Sequence, residues 1–137
     1  AYASALVDVR FWDNYAYCAL DQAIQARASH PYTPDVTIEL VREAYKPAMV
    51  PTPETEHLMG LVEAAAFDEA VPIHWKAVGG GSDANNTAAL GIPSLDGFGP
   101  VGANFHSDDE YLQLDSIEPR IRLLARVLSR LAEQKMT

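Results

Sequence analysis

The sequence predicts an α+β protein in two pieces, residues 1–52 and 53–137. Three observations predict it. A period-two apolar run, a helical stripe and a second period-two run follow one another through the first 45 residues. Thr52 before Pro53 is a strong helix start, and it opens a second stretch with an amphipathic pattern at each end. Between those two patterns, residues 79–111 gather nearly all of the glycine and most of the clustered polar chemistry. Scaffolded proteins keep their sites on such loops.

In residues 4–11, Leu6, Asp8 and Arg10 alternate with Val7, Val9 and Phe11, which reads as a half-exposed strand. Asp13 suits a helix N-cap, and Tyr17, Leu20 and Ile24 form a stripe reaching about Ala28. His30-Pro31 and Thr33-Pro34 stop that helix. The single cysteine, Cys18, lies in it and reads as a small buried hydrophobe. A second strand is expected over residues 36–45, where Val36, Ile38 and Leu40 alternate with Thr37, Glu39 and Val41. Two strands around one helix are short of edge partners, so self-association or instability is expected when this piece is studied alone.

Lys46-Pro47 and the Pro51-Thr52-Pro53 run mark a return loop. Leu58, Leu61, Val62 and Ala65 then repeat at helical spacing, with Glu54 and Glu56 in the first turn where the helix dipole favours them. Residues 71–78 are apolar around Trp75 and read as a buried strand ending in a glycine turn. A small helix over residues 85–90, a short strand over 92–95 and a loop bearing His106 follow, with brief pairing expected over 112–114. Asp115 or Ser116 caps a final helix striped by Ile117, Ile121, Leu124, Leu128 and Leu131. Arg122, Arg126 and Arg130 ride its other faces as a solvated rim that balances local acid.

Composition narrows the function. Ten Lys and Arg against nineteen Asp and Glu give a net charge of −9, which repels a phosphate backbone, so nucleic acid is not expected as a partner. No apolar run approaches the roughly 20 residues of a membrane span, and the first residues lack the pattern of a signal peptide, so no membrane partner is expected. Those features leave the compartment open, with the cytoplasm slightly favoured. The chain starts at Ala1 and enters a strand pattern almost at once, as a chain beginning mid-domain would.

Four features carry candidate chemistry. His106 sits between Asn104 and the run Ser107, Asp108, Asp109, Glu110; that setting suits a zinc ligand whose ring is oriented by acidic neighbours, although by residue type alone a lone loop histidine is more often a surface hydrogen bonder. The turn Gly79, Gly80, Gly81, Ser82, Asp83 leads into a helix, so it is either an anion cradle of backbone N–H groups or a plain turn with Ser82 or Asp83 as cap. An uncapped Asp83 would repel an anion, so its side chain is expected to be occupied in capping. The run Phe98-Gly99-Pro100 with Gly102 reads as a rigid loop or a simple surface turn, and His30, His57 and His74 lack clustered partners. The turn has neither the Lys-Ser/Thr of a P-loop nor the GxGxxG spacing, which argues against a nucleotide-binding domain.

The run from GGGSDAN through LGIPSLDGFGPVG to HSDDEY, followed by LDSIEPR opening the last helix, resembles the carboxyl-terminal portion of the zinc-dependent glutamate carboxypeptidase family. Acetylornithine deacetylase and succinyl-diaminopimelate desuccinylase belong to that family. The resemblance implies that residues 1–52 are the second half of a βαββαβ lid domain that often mediates dimerisation. Residues 53–137 would be the closing part of an α/β catalytic domain. It implies a parent enzyme that cleaves an amide bond beside a free carboxylate by a metal-bound hydroxide, with two zincs per complete site.

Of the ligands, only His106 falls in this chain, with Glu110 at a recurrent acidic position and Asn104 beside it. By the same resemblance, the remaining ligands and the general-base Glu would belong to an upstream amino-terminal segment, so no catalytic residue is expected in this chain and the chain alone is expected to be inactive. Gly80, Gly81, Ser82 and Asp83 would line the substrate pocket. Lys46 would bind the carboxylate of a small acyl-amino-acid or peptide, or else be an ordinary surface lysine. The family's glutamate-specific members carry an arginine two residues before the glycine triplet; here Ala77 stands there beside Lys76, so amide hydrolysis is implied without a preference for glutamate. The rival reading is a non-catalytic dimerisation or anion-binding module of the same fold.

Overall fold

A computed structural model describes residues 2–134. The chain is α+β, with helices α1 (Asn14–Ser29), α2 (Pro53–Asp68), α3 (Ala84–Ala89) and α4 (Ile117–Gln134). Strands β1 (Gly102–Ala103) and β2 (Tyr111–Leu112) pair antiparallel, Gly102 opposite Leu112 and Ala103 opposite Tyr111. Two compact units emerge, Ala1–Val50 with Ala77–Ser94, and Pro51–Lys76 with Leu95–Thr137.

In the first unit, α1 begins where the Asp13 carboxylate accepts the Ala16 N–H at 2.7 Å. That bond satisfies one of the N–H groups a helix start leaves open. The rings of Phe11, Tyr17 and Tyr45 then pack together, Tyr17 lying 4.6 Å from Phe11 and 4.8 Å from Tyr45 between centroids. Arg42 lies 5.6 Å from the Tyr17 ring and pairs with Asp21 at 2.7 Å. This aromatic cluster joins the helix to the segments on either side of it in sequence. Cys18 is exposed, contrary to the expected burial, and α1 has no fully buried residue. Leu20 and Ile24 are likewise partly open to solvent.

The expected strands over residues 4–11, 36–45, 71–78 and 92–95 do not form ladders. Period-two alternation selects residues that suit a pleated surface, but a ladder needs a partner edge. Among the described residues only β1 and β2 find one.

The second unit holds the core. Thr52 caps α2, its hydroxyl accepting the Thr55 N–H at 3.3 Å, with Pro53 in the first turn. At the far end Ala70 takes φ 52°, and the Val71 N–H returns to the Ala66 carbonyl at 2.9 Å. Val62, Ala65, Ala66 and Val71 are buried against Leu123 and Val127 of α4, with Ile73, Leu95, Phe98 and Leu131 packed around them. The small Ala65 and Ala66 let the two helices approach closely.

The buried row of α4 is Leu123 and Val127, with Leu131 partly buried beside them; of the stripe expected from its apolar spacing, only Leu131 packs on this core. Leu123 is 0% exposed, whereas Ile121 is 63% and Leu128 58% exposed. Leucine is dense enough in this helix to supply two rows at helical spacing. The row chosen is the one that brings the arginines to the end of α2: Arg130 meets Asp68 at 2.7 Å, and Arg126 meets Glu69 at 3.2 Å. Arg122 reaches both Glu69 and Glu118. The arginines form the expected half-solvated rim, paired to specific carboxylates.

Candidate functional site

His106 sits in the loop of the β1–β2 hairpin. Gly102 sets the close approach of the two strands, since a Cβ there would stand 2.5 Å from the Tyr111 carbonyl oxygen. Further bonds close the base: the Gln113 N–H donates to the Val101 carbonyl and the Ser116 hydroxyl accepts the Val101 N–H, both at 2.8 Å. Inside the loop, Asn104 and His106 both take left-handed backbone angles, φ 60° and 66°. Asn104 holds the turn through its amide, which donates to the Asp109 carbonyl at 3.3 Å, and through its own carbonyl, which accepts the Ser107 hydroxyl at 2.7 Å.

Glu110 accepts the backbone N–H of His106 at 3.1 Å. It therefore touches the main chain of His106 and not its ring, where an acidic neighbour was expected. The imidazole is exposed and meets no protein hydrogen-bond partner among the described residues. That leaves both ring nitrogens open to an outside ligand.

Zinc sites need three or four nitrogen, sulfur or oxygen donors in one place. Among the described residues no group of three or more His, Cys, Asp or Glu is gathered. The chemistry of His106 fits a single metal donor, while the described residues together do not make a metal site.

The glycine turn belongs to the first unit. Lys46 lies across it: a Cβ on Gly81 would fall 2.6 Å from Lys46 Cδ, so only glycine admits the stem at that distance. Beyond Gly81, the Lys46 ammonium pairs with Asp83 at 3.3 Å. Asp83 thus makes no capping bond, contrary to expectation; it stands at the N-cap position with helical backbone angles and its carboxylate turned to Lys46. Capping falls to others. Ser82 Oγ accepts the Ala84 N–H at 3.2 Å, and the Asn85 side-chain oxygen accepts the Ser82 N–H at 2.8 Å. With the Ser82 and Ala84 N–H groups occupied, the start of α3 offers an anion fewer backbone donors. Gly80 has open space around it.

Three residues that the sequence did not single out fix this arrangement. Asn85 donates to the Pro47 carbonyl at 2.8 Å, which ties the Lys46 segment to the turn. Asn14 accepts the Ala48 N–H at 2.8 Å, tying the same segment to α1. Arg10 reaches the Gly79 carbonyl at 3.5 Å while pairing with Asp8. Each contact spans more than thirty positions, so no local pattern announces it. Lys46, Gly81 and Asp83 thus come together in the first unit, and His106, Asn104 and Glu110 in the second.

An α+β chain that carries a glycine turn and a histidine hairpin is compatible with part of a hydrolase domain. The profile of peptidase family M20/M25/M40 matches residues 6–130, and the chain belongs to that family of peptidases. It is similar to Peptidase T of Escherichia fergusonii, at 28% identity over 102 residues, covering 74% of this chain and 25% of that protein. Peptidase T of Salmonella arizonae and of Escherichia coli K12 are each 27% identical over 103 residues, with the same shares covered. The chain thus spans about a quarter of the length of these curated relatives. No solved structure matches. No helix among the described residues is long and apolar enough to cross a membrane.

Proposed function

We propose that this chain is the carboxyl-terminal portion of a zinc-dependent amidohydrolase of its family, one that cleaves an amide bond beside a free carboxylate. The observation that carries the reading is His106: an exposed imidazole without a partner among the described residues, on a hairpin loop closed by hydrogen bonds, in a chain whose family is one of peptidases. Residues 1–52 are the second half of a lid domain through which the parent protein dimerises, and residues 53–137 close the catalytic domain. The finer placement near glutamate carboxypeptidase, acetylornithine deacetylase and succinyl-diaminopimelate desuccinylase rests on the run from GGGSDAN to HSDDEY. The relatives named Peptidase T leave room for a peptide substrate.

When bound, a zinc pair supplies a water ionised near neutral pH and polarises the scissile carbonyl. This chain's share is narrower. His106 donates one ring nitrogen, and Lys46, held over Gly81, offers its ammonium to the substrate carboxylate in exchange for Asp83. The other ligands and the general base come from an upstream segment, so the chain alone is inactive.

The test uses the full-length protein that carries this sequence, assayed on an acyl-amino-acid and on a short peptide with metal content measured in parallel. His106→Ala is expected to lower metal content and to abolish hydrolysis. A protein that hydrolyses neither substrate and binds no metal belongs to the rival class, a dimerisation or anion-binding module.

A further inference from the structure

We propose that Glu110 is a positioning residue that sets His106 through the backbone, by accepting its N–H, rather than through the ring or by charge. The inference deepens the reading above and rests on it. His106 takes φ 66°, a region in which the Cβ of an L-residue is crowded by its own carbonyl, so something must hold it there. Among the described residues, the only side chain that bonds its main chain is Glu110, which accepts its N–H at 3.1 Å across four residues.

The rest of the loop turns on Asn104, whose short amide tolerates φ 60° and is itself bonded to the Asp109 carbonyl. Two left-handed residues separated by Phe105 reverse the chain, and Ser107 ties back to the Asn104 carbonyl through both its N–H and its hydroxyl. Glu110 is where the loop rejoins β2, one residue before Tyr111. Its carboxylate therefore fastens the imidazole-bearing residue to the ordered end of the hairpin. The imidazole stays free to bind, and its direction is set by the φ of its own backbone.

This assigns Glu110 a role that depends on one acceptor oxygen and not on negative charge. Glutamine keeps that oxygen and the side-chain length, whereas alanine removes it. Asp108 and Asp109, which share the acidic run, have no such bond from their side chains and should be silent.

The experiment is amide NMR on the metal-free full-length protein that carries this sequence, labelled with nitrogen-15. Glu110→Ala should move the His106 amide resonance and raise its hydrogen-exchange rate about three- to tenfold, the loss expected for one hydrogen bond. The Leu112 amide should keep its exchange protection, and Glu110→Gln should keep the His106 signal within about twofold of the parent rate. An unchanged His106 amide in Glu110→Ala overturns the proposal. So does a Glu110→Gln chain as disturbed as the alanine variant, which would mean that charge and not the acceptor matters. Should Glu110→Ala fail to fold, the glutamine variant decides alone by keeping or losing the His106 signal. In the full-length protein, Glu110→Ala should weaken metal affinity by roughly 10- to 100-fold with rescue by glutamine. A protein that binds no metal at all counts against the metallohydrolase reading, while the amide result stands by itself.

Discussion

At the scale of single residues, Gly81 is the position where one methyl group changes most. A Cβ there meets the middle of the Lys46 stem, at 2.6 Å from Cδ and 3.3 Å from Cγ, so alanine must push the lysine away from Asp83. Lys46 and Asp83 are solvated, and such a pair contributes little to folding. Gly81→Ala in the full-length protein is therefore expected to leave thermal stability nearly unchanged and to raise KM for a carboxylate-bearing substrate by up to about fivefold, with kcat moved less. An unchanged KM would remove Lys46 from substrate binding. Residue types flagged His106, Lys46 and the glycine turn from the sequence. The contacts that give them shape were not legible, because Asn85 to Pro47 and Asn14 to Ala48 join residues far apart in the chain. Asp83 shows the same limit: its place before a helix suggested a cap, and a lysine 37 residues away took the carboxylate.

At the scale of elements, the pairing of α2 with α4 holds the second unit together. Leu123 is wholly buried between them, and Leu123→Ala is expected to cost about 2–5 kcal/mol in urea unfolding. The Thr52 cap is smaller; Thr52→Ala should cost roughly 0.5–1 kcal/mol by the same measurement. The polar seam adds a pH dependence. The Asp68 carboxyl is held below its ordinary range chiefly by the hydrogen bond from Arg130, with the charges of Arg130 and Arg126 adding to it and partial desolvation opposing. A carboxyl with a depressed folded pKa stabilises the fold above its unfolded value, near 4, and loses that contribution as pH falls through the lower folded value. The urea midpoint should thus drop below about pH 4, and Asp68→Asn should flatten that limb while lowering stability at neutral pH. Helix existence was readable from Asp13, Thr52-Pro53 and the apolar spacing, since caps and periodicity are local. The buried face of α4 was not, because two apolar rows compete and the choice rests on Ala65, Ala66, Asp68 and Glu69 in another helix. Strand patterns named segments with the right residues but could not supply the edges they need.

At the scale of the whole molecule, the chain spans about a quarter of its curated relatives, and its first unit leaves apolar side chains open to water. Ile24, Ile38 and Leu40, with Ala23 and Ala28, line a shallow groove on that unit. Exposed apolar surface of this kind drives association. The purified 137-residue chain is expected to sediment as dimers or larger species at tens of micromolar, and a well-behaved monomer would argue that the exposed surface is tolerated. The division of function between this chain and an upstream segment is the central claim. It is tested most directly by the zinc content and amide hydrolysis of the full-length protein, compared with its His106→Ala variant. The account predicts about two metal ions per protein before the substitution and fewer after it, with hydrolysis lost. A His106→Ala protein that keeps its metal and its rate would contradict it.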